Sequence, residues 1–335
     1  MVAALSGWRV VAVSALLALC PHAAFAEGQI EISWKPIPAF DASQPTRTRF
    51  GSFSFLRGGV WDASHSEFGG FSGLHISEGG NQLLAISDRG KWLRADLQRQ
   101  PGGDVSPTFS AHLADIADPS GQVARRKQDK DAEGLAVLRG RAFVSFERLD
   151  IVREYSVPGE GIPAAARKVP YPFPVHELRQ NEGLEALAAA PATSSVGAGN
   201  LVAISEGSIN PQGDLFAFVL SGPRRGTFFV KARDDFNVTD AAFLPDGQLL
   251  LLERRFSLGT GLGMRIRQIN SADIAPGETV DGEVILQASL AQAIDNMEGM
   301  SVWQNVAGET IVSLISDDNL SFLQQTIYLE FRYDG

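Results

Sequence analysis

Of the 335 residues only one is cysteine, Cys20, and it falls within the first 26. No disulfide can brace the remainder, and thiolate-ligated zinc or iron–sulfur centres are excluded. Histidine is also scarce, at five residues. His176-Glu177 lacks the second histidine of a zincin motif, while His65 in a Gly-rich loop and His75 within a strand are single groups. The G-x-S-x-G elbow of serine hydrolases is missing, and "GFSGL" around Ser72 is only a near miss. No long segment carries apolar residues at the 3.6-residue period, so helices are expected to be minor. Positive charge is in deficit: the formal net charge is −10, and −11 without Arg9, which argues against nucleic-acid binding through charge. Such acidity suits a site that attracts cations.

The one long apolar run, "VVAVSALLAL", follows Arg9 and precedes Ala24-Phe25-Ala26. This reads as a signal peptide cleaved after Ala26, and the run is too short to span a membrane. The expectation is a periplasmic or secreted protein, with residues 1–26 as leader and 27–335 as one domain. A monomer with no membrane span is expected.

What the chain has is a repeat. Paired strand-like segments joined by turns recur five times: "FSGLHIS" with "QLLAISDRG", "EGLAVL" with "AFVSFER", "EGLEALAAA" with "NLVAISEGS", "TDAAFL" with "QLLLLERR", and "EGMSVW" with "TIVSLISDD". Aligned on Gly73, Glu133, Glu182, Asp240 and Glu298, the copies are 60, 49, 58 and 58 residues apart. Such periods predict an all-β fold, a β-propeller. A β-sandwich with recurring hairpins is the competing reading. Five repeats plus strand-like termini ("QIEISWKPI", "QTIYLEFRYD") lead to an expectation of six blades, with the termini closing the ring.

In a propeller, the start of each blade's first strand and the end of its second share one face. Strand starts carry Glu133, Glu182, Asp240 and Glu298; strand ends carry Asp88-Arg89, Glu147-Arg148, Glu206, Glu253-Arg254 and Asp317-Asp318. These acids should meet at one channel mouth, where their mutual repulsion calls for cations or arginines. An all-oxygen donor set favours Ca²⁺. The expected metal ligands are Asp88, Glu133, Glu147, Glu182, Glu206, Asp240, Glu253, Glu298 and Asp317. Glu133, Glu182 and Glu298 are the candidate acid/base groups, and Arg89, Arg148 and Arg254 the candidate anion binders. Trp61, Trp92 and Trp303 lie near these motifs and could stack on a ligand, although core packing is the ordinary role.

The ordered set "FGGFSGLHIS…LLAISDRGKWL", "DAEGLAV…FVSFER", "NEGLEALA", "LLLLERR", "NMEGMSVW" and "SLISDDN…QTIYLEF" resembles the phytase-like family, described as having esterase-like activity of phytase. The resemblance runs from about Phe53 to the C-terminus. It implies an exported bacterial propeller that hydrolyses phosphate or carboxylate esters, with a small anionic ester as substrate. One departure is "VTDAAF", where other copies read Glu-Gly. Two other readings stand beside the phosphoester hydrolase. One is a Ca²⁺-dependent lactonase or arylesterase that would add Asn181 and Asn296 as ligands. The other is a non-catalytic binding or scaffold propeller whose acids lock the blades together.

Overall fold

The computed structural model describes residues 28–100, 103–157, 162–170, 177–179, 182–257, 259 and 261–335. The proposed leader, His176 and Asn181 therefore lie outside the described residues. Three strands open the described chain: β1 (Gln29–Ile37), β2 (Arg49–Phe50) and β3 (Phe53–Asp62). Four antiparallel strands follow, β4 (Phe71–Ile76), β5 (Gln82–Ser87), β6 (Lys91–Asp96) and β7 (Thr108–Asp115). The next sheet holds β8 (Ala132–Leu138), β9 (Arg141–Phe146), β10 (Ile151–Ser156) and β11 (Ala164–Val169). The third runs β12 (Leu184–Ala189), β13 (Leu201–Ile209), β14 (Leu215–Val219) and β15 (Gly226–Val230). The fourth contains β16 (Asn237–Phe243), β17 (Leu249–Ser257) and β18 (Gly261–Ile269); β19 (Thr279–Val280) crosses to pair in parallel with β15, and β20 (Glu283–Ser289) completes the fourth sheet. Last come β21 (Asn296–Gln304), β22 (Thr310–Asp317) and β23 (Thr326–Tyr333). Among the described residues no helix is long and apolar enough to cross a membrane.

The fifth unit takes its outer strand from the other end of the chain. β23 pairs antiparallel with β3, so the order is β21-β22-β23-β3. β1 then lies between β3 and β7, joining the outer edges of the fifth and first units. The first strands β4, β8, β12, β16 and β21 neighbour one another in a closed cycle. The chain is thus an all-β propeller. Among the described residues it has five blades, not the expected six, because the terminal strands complete and bridge blades instead of forming a further one.

Packing explains why the inner strands read as unbroken apolar runs. Leu249, Leu250, Leu251 and Leu252 are all fully buried on β17. Side chains alternate across a strand, so Leu249 and Leu251 join the core shared with the third blade, while Leu250 and Leu252 join the core shared with the fifth. Trp61, Trp92 and Trp303 are likewise buried. Trp61 stacks on Tyr328 with ring centres 4.7 Å apart, and Trp303 Nε1 donates to Ser313 Oγ at 2.9 Å. None of the three is placed to stack on a ligand.

Close to the axis the backbone leaves little room. A Cβ at Gly73 would sit 2.7 Å from Leu135 Cβ, and one at Gly299 would sit 2.8 Å from Ile315 Cγ2. At these glycines the neighbouring groups approach too closely for a larger side chain, whereas Ala186 and Asp240 hold the corresponding places in the third and fourth blades.

Candidate active site

Each first strand carries one extra residue at the same point of its hairpin. The register against the second strand slips at Ser72, at Glu133, at Glu185, at Thr239 and at Glu298. A bulge re-aims its side chain out of the pleat, here towards the channel mouth. The residues that follow on the second strands form a further ring: Asp88, Glu147, Glu206, Arg254 and Asp317. Two layers thus surround the mouth, with three glutamates in one and four acids plus one arginine in the other.

All of these residues except Thr239 and Glu206 line a cavity of about 750 Å³, together with Asp131, Arg148, Asp295 and Asn296. Oxygens of Asp131, Glu133 and Glu147 come within 4.8 Å of one another, as do those of Glu147, Glu185 and Glu206. Arg254 answers part of the charge, its Nε donating to Glu298 Oε1 at 2.7 Å and its terminal nitrogen lying 3.4 Å from Glu206 Oε1. Arg148 Nε is 2.5 Å from Asp131 Oδ2. Asn296 Nδ2 donates to Glu298 Oε1 at 2.7 Å. The buried Asp88 Oδ1 has no hydrogen-bond partner among the described residues.

Electrostatics follow from burial and crowding. Burial, reinforced by neighbouring acids, holds Glu133 and Glu185 well above the usual carboxylate range. Burial likewise pushes Glu147 to about 7 against the Gly183 amide that it accepts. Glu298 is also pushed to about 7 by burial, in spite of Arg254, and Asp317 to about 8 by burial together with Glu298. Several carboxyls in one cavity therefore resist ionisation unless positive charge joins them.

The structure brings most of the expected residues together and moves others away. Asp88, Glu133, Glu147, Glu298, Asp317, Arg148 and Arg254 line the cavity, and Glu206 adjoins it through Arg254. Glu182 does not line it; its carboxylate pairs with Arg179 at 3.2 Å. The equivalent of Glu133 and Glu298 is Glu185, in Glu185-Ala186-Leu187, because the hairpin bulges there. Glu253 is turned away from the mouth and fully buried, with Arg265 Nε at 2.6 Å and Arg267 at 2.6 and 2.8 Å. Asp240 holds the glycine position next to the bulge. There it accepts from the backbone amides of Met300 at 2.7 Å and Ala241 at 2.8 Å, tying the fourth and fifth blades. Arg89 is exposed and, with Lys127 and Lys130, lines an adjoining cavity of about 360 Å³, which has Asp88 and Asn319 in common with the first. Asp318 braces the turn after β22 by accepting from Gly70 N and Thr326 Oγ1, each at 3.0 Å. His65 is exposed and lines none of these cavities; burial lowers His75 in β4 to about 4.

Glu185 and Asp131 are the residues that sequence reasoning missed. A signal for Glu185 was present, since in the third copy it precedes the small residue Ala186 as Glu133 and Glu298 precede glycine. Asp131 immediately precedes β8, two residues before the bulged Glu133.

Several solved structures are similar across most of the chain at low sequence identity. The PQQ-bound aldose sugar dehydrogenase of Streptomyces coelicolor is 12% identical, covering 85% of this chain and 99% of its own, with a TM-score of 0.45. The glutaminyl cyclase of Myxococcus xanthus is 15% identical, covering 84% and 95%, with a TM-score of 0.43. Among curated proteins, none matches the chain. The profile of the phytase-like family, described as esterase-like activity of phytase, matches residues 66–320, and the chain belongs to that family.

Proposed function

We propose that the protein is an exported, Ca²⁺-assisted hydrolase of phosphate esters, with its reaction at the two-layered carboxylate mouth. The observation that carries this reading is the pair of three-carboxylate groups that share Glu147: Asp131, Glu133 and Glu147 on one side, Glu147, Glu185 and Glu206 on the other. The donor set is all oxygen, and the raised carboxyls mark a site short of positive charge, which fits a hard divalent cation. When bound, Ca²⁺ supplies Lewis acidity and charge that draw an anionic ester into an acidic mouth.

The remaining work falls to the chain's own groups. Arg254 and Arg148 face the cavity from opposite acids and orient the anionic oxygens of the ester. Glu298, held near neutrality by burial and fixed in position by Arg254 and Asn296, exchanges the proton between attacking water and leaving group. Residues 1–26 act as the export signal, which puts this chemistry in the periplasm or outside the cell.

The test pairs melting with turnover. Adding Ca²⁺ to EDTA-treated protein is expected to raise the melting temperature by several degrees and to restore hydrolysis of p-nitrophenyl phosphate. Retention of full hydrolysis in the Glu133→Gln, Glu185→Gln, Glu298→Gln triple variant would exclude the assignment. Faster turnover of lactones than of phosphate esters would move it to the lactonase class, in which Asn296 is already at the cavity.

A further inference from the structure

The cavity is not uniformly polar. Phe256, Leu262, Leu290 and Leu323 line it above the carboxylates. Phe256, Leu290 and Leu323 are 68%, 65% and 77% exposed, among only a few large apolar side chains so exposed in the described residues. Single exposed apolar residues are unremarkable, but several lining one charged cavity are not.

Their placement comes from the longest hairpin. β17 and β18 pair nine residues each, and Phe256 faces Leu262 in register near the tip. A Cβ at Gly261 would lie 3.4 Å from Leu290 Cδ1, so the start of β18 lies beside the residue that follows β20. Leu323 stands in the turn between β22 and β23. Glu298 and Asp295 line the same cavity, and Gln324 Nε2 donates to Asp295 Oδ1 at 3.1 Å.

We infer that the wall of Phe256, Leu262, Leu290 and Leu323 is a subsite for an apolar alkyl or aryl group on the substrate, whose ester end reaches the carboxylate floor. The inference rests on the reading of the floor as an ester site. A volume of about 750 Å³ far exceeds what one phosphate group fills and lies in the range of sites for ligands that join apolar and polar parts. Asp295, Asn296, Asn319 and Gln324 are interleaved with the apolar residues around this opening. That mixture suits a small amphiphile better than a lipid surface, and a net charge of −10 opposes anionic membranes. A wholly polar polyphosphate would leave the wall in water.

The experiment measures binding of n-alkylphosphonates from methyl to octyl with Ca²⁺ present, by calorimetry. A parallel series of 1-alkanols is followed by displacement of 8-anilino-1-naphthalenesulfonate. Affinity is expected to rise about fourfold per added methylene in the phosphonate series. The Phe256→Ser, Leu290→Ser variant is expected to flatten the rise while melting at the wild-type temperature, because both side chains are exposed. A flat phosphonate series, or a rise that survives the double variant, overturns the subsite. If no phosphonate binds but the alkanols show the rise and the variant removes it, the subsite stands and the ester reading fails. Co-sedimentation with phosphatidylcholine vesicles, lost in the variant, would overturn the small-molecule subsite in favour of membrane docking.

Discussion

Arg254 Nε sits 2.7 Å from Glu298 Oε1, yet Glu298 still titrates near 7 because burial outweighs the paired charge. Arg254 is the single cation in a ring position that is acidic in the other four blades, and its terminal nitrogen also reaches Glu206. Replacing it by Met leaves these buried acids without their nearest positive charge. Breaking such a pair from one side costs about 3–5 kcal/mol. The expected outcome is a lower urea midpoint for Arg254→Met in EDTA, recovered in part by Ca²⁺, with the denaturant slope unchanged.

Stability should depend on pH in an unusual direction. Burial raises Glu147 and Glu298 to about 7 and Asp317 to about 8, against ordinary values of 4.5 for glutamate and 3.8 for aspartate. Between those limits the folded state holds more protons than the unfolded chain, so unfolding releases protons and stability falls as pH rises. This contribution is fully present below about pH 4 and lost through pH 7–8. Metal-free protein is expected to melt at a lower temperature at pH 8.5 than at pH 5.5. Saturating Ca²⁺ should flatten or reverse that slope, since a cation favours the ionised acids. Differential scanning calorimetry in EDTA and in Ca²⁺ checks both halves.

Glu253 offers a contrast with the mouth. Its carboxylate is fully buried between Arg265 and Arg267, on the side of β17 away from the cavity. Glu253→Gln takes the buried countercharge from Arg265 and Arg267 and leaves them to the solvent-facing Asp234 and Asp281. It is expected to destabilise by several kcal/mol while turnover per folded molecule stays at the wild-type value. Chemical denaturation, with activity normalised to the folded fraction, separates this effect from loss of a site residue.

The strands were readable in the sequence because their chemistry is local: alternating or continuous apolar runs, closed by turn residues such as Pro245-Asp246-Gly247. Blade number was not, because it depends on which strand β3 pairs with. That is a contact with β23, more than 260 residues away in sequence. Which acid faces the mouth was also hidden, since one bulged residue reverses side-chain direction. The register of the second strand matters equally, as one dipeptide shows. In Glu147-Arg148 the acid takes the ring position, whereas in Glu253-Arg254 the arginine takes it.

Gly134 tests the crowding around the axis. A Cβ there would collide with the Glu185 carbonyl oxygen and sit 2.7 Å from Ser145 Oγ, the group that accepts the Gly134 amide proton. Gly134→Ala must push β8 from β12 and so spread the acids these strands carry. A loss of about 1–3 kcal/mol is expected, together with weaker Ca²⁺ protection against melting. An equivalent loss with Ca²⁺ protection intact would show that the acids do not need the close approach.

Glu182 and Glu185 lie three residues apart and differ in one respect that decides their roles. Glu185 is the bulged residue of β12; its oxygens approach those of Glu147 and Glu206 and it lines the cavity. Glu182 precedes the strand, keeps its carboxylate partly in solvent, and pairs with an exposed Arg179. An exposed pair of this kind contributes no more than about 1 kcal/mol. Glu182→Gln should therefore leave melting temperature, Ca²⁺ response and hydrolysis near wild type. Glu185→Gln removes one of three approaching carboxylates. It also relieves repulsion in the metal-free state, so in EDTA the variant is expected to melt above the wild type. With Ca²⁺ the order reverses, because a ligand is gone. The crossing of the two melting curves between EDTA and Ca²⁺ identifies a metal site. If Glu185→Gln melts higher under both conditions, the acids repel one another there without ever holding a cation.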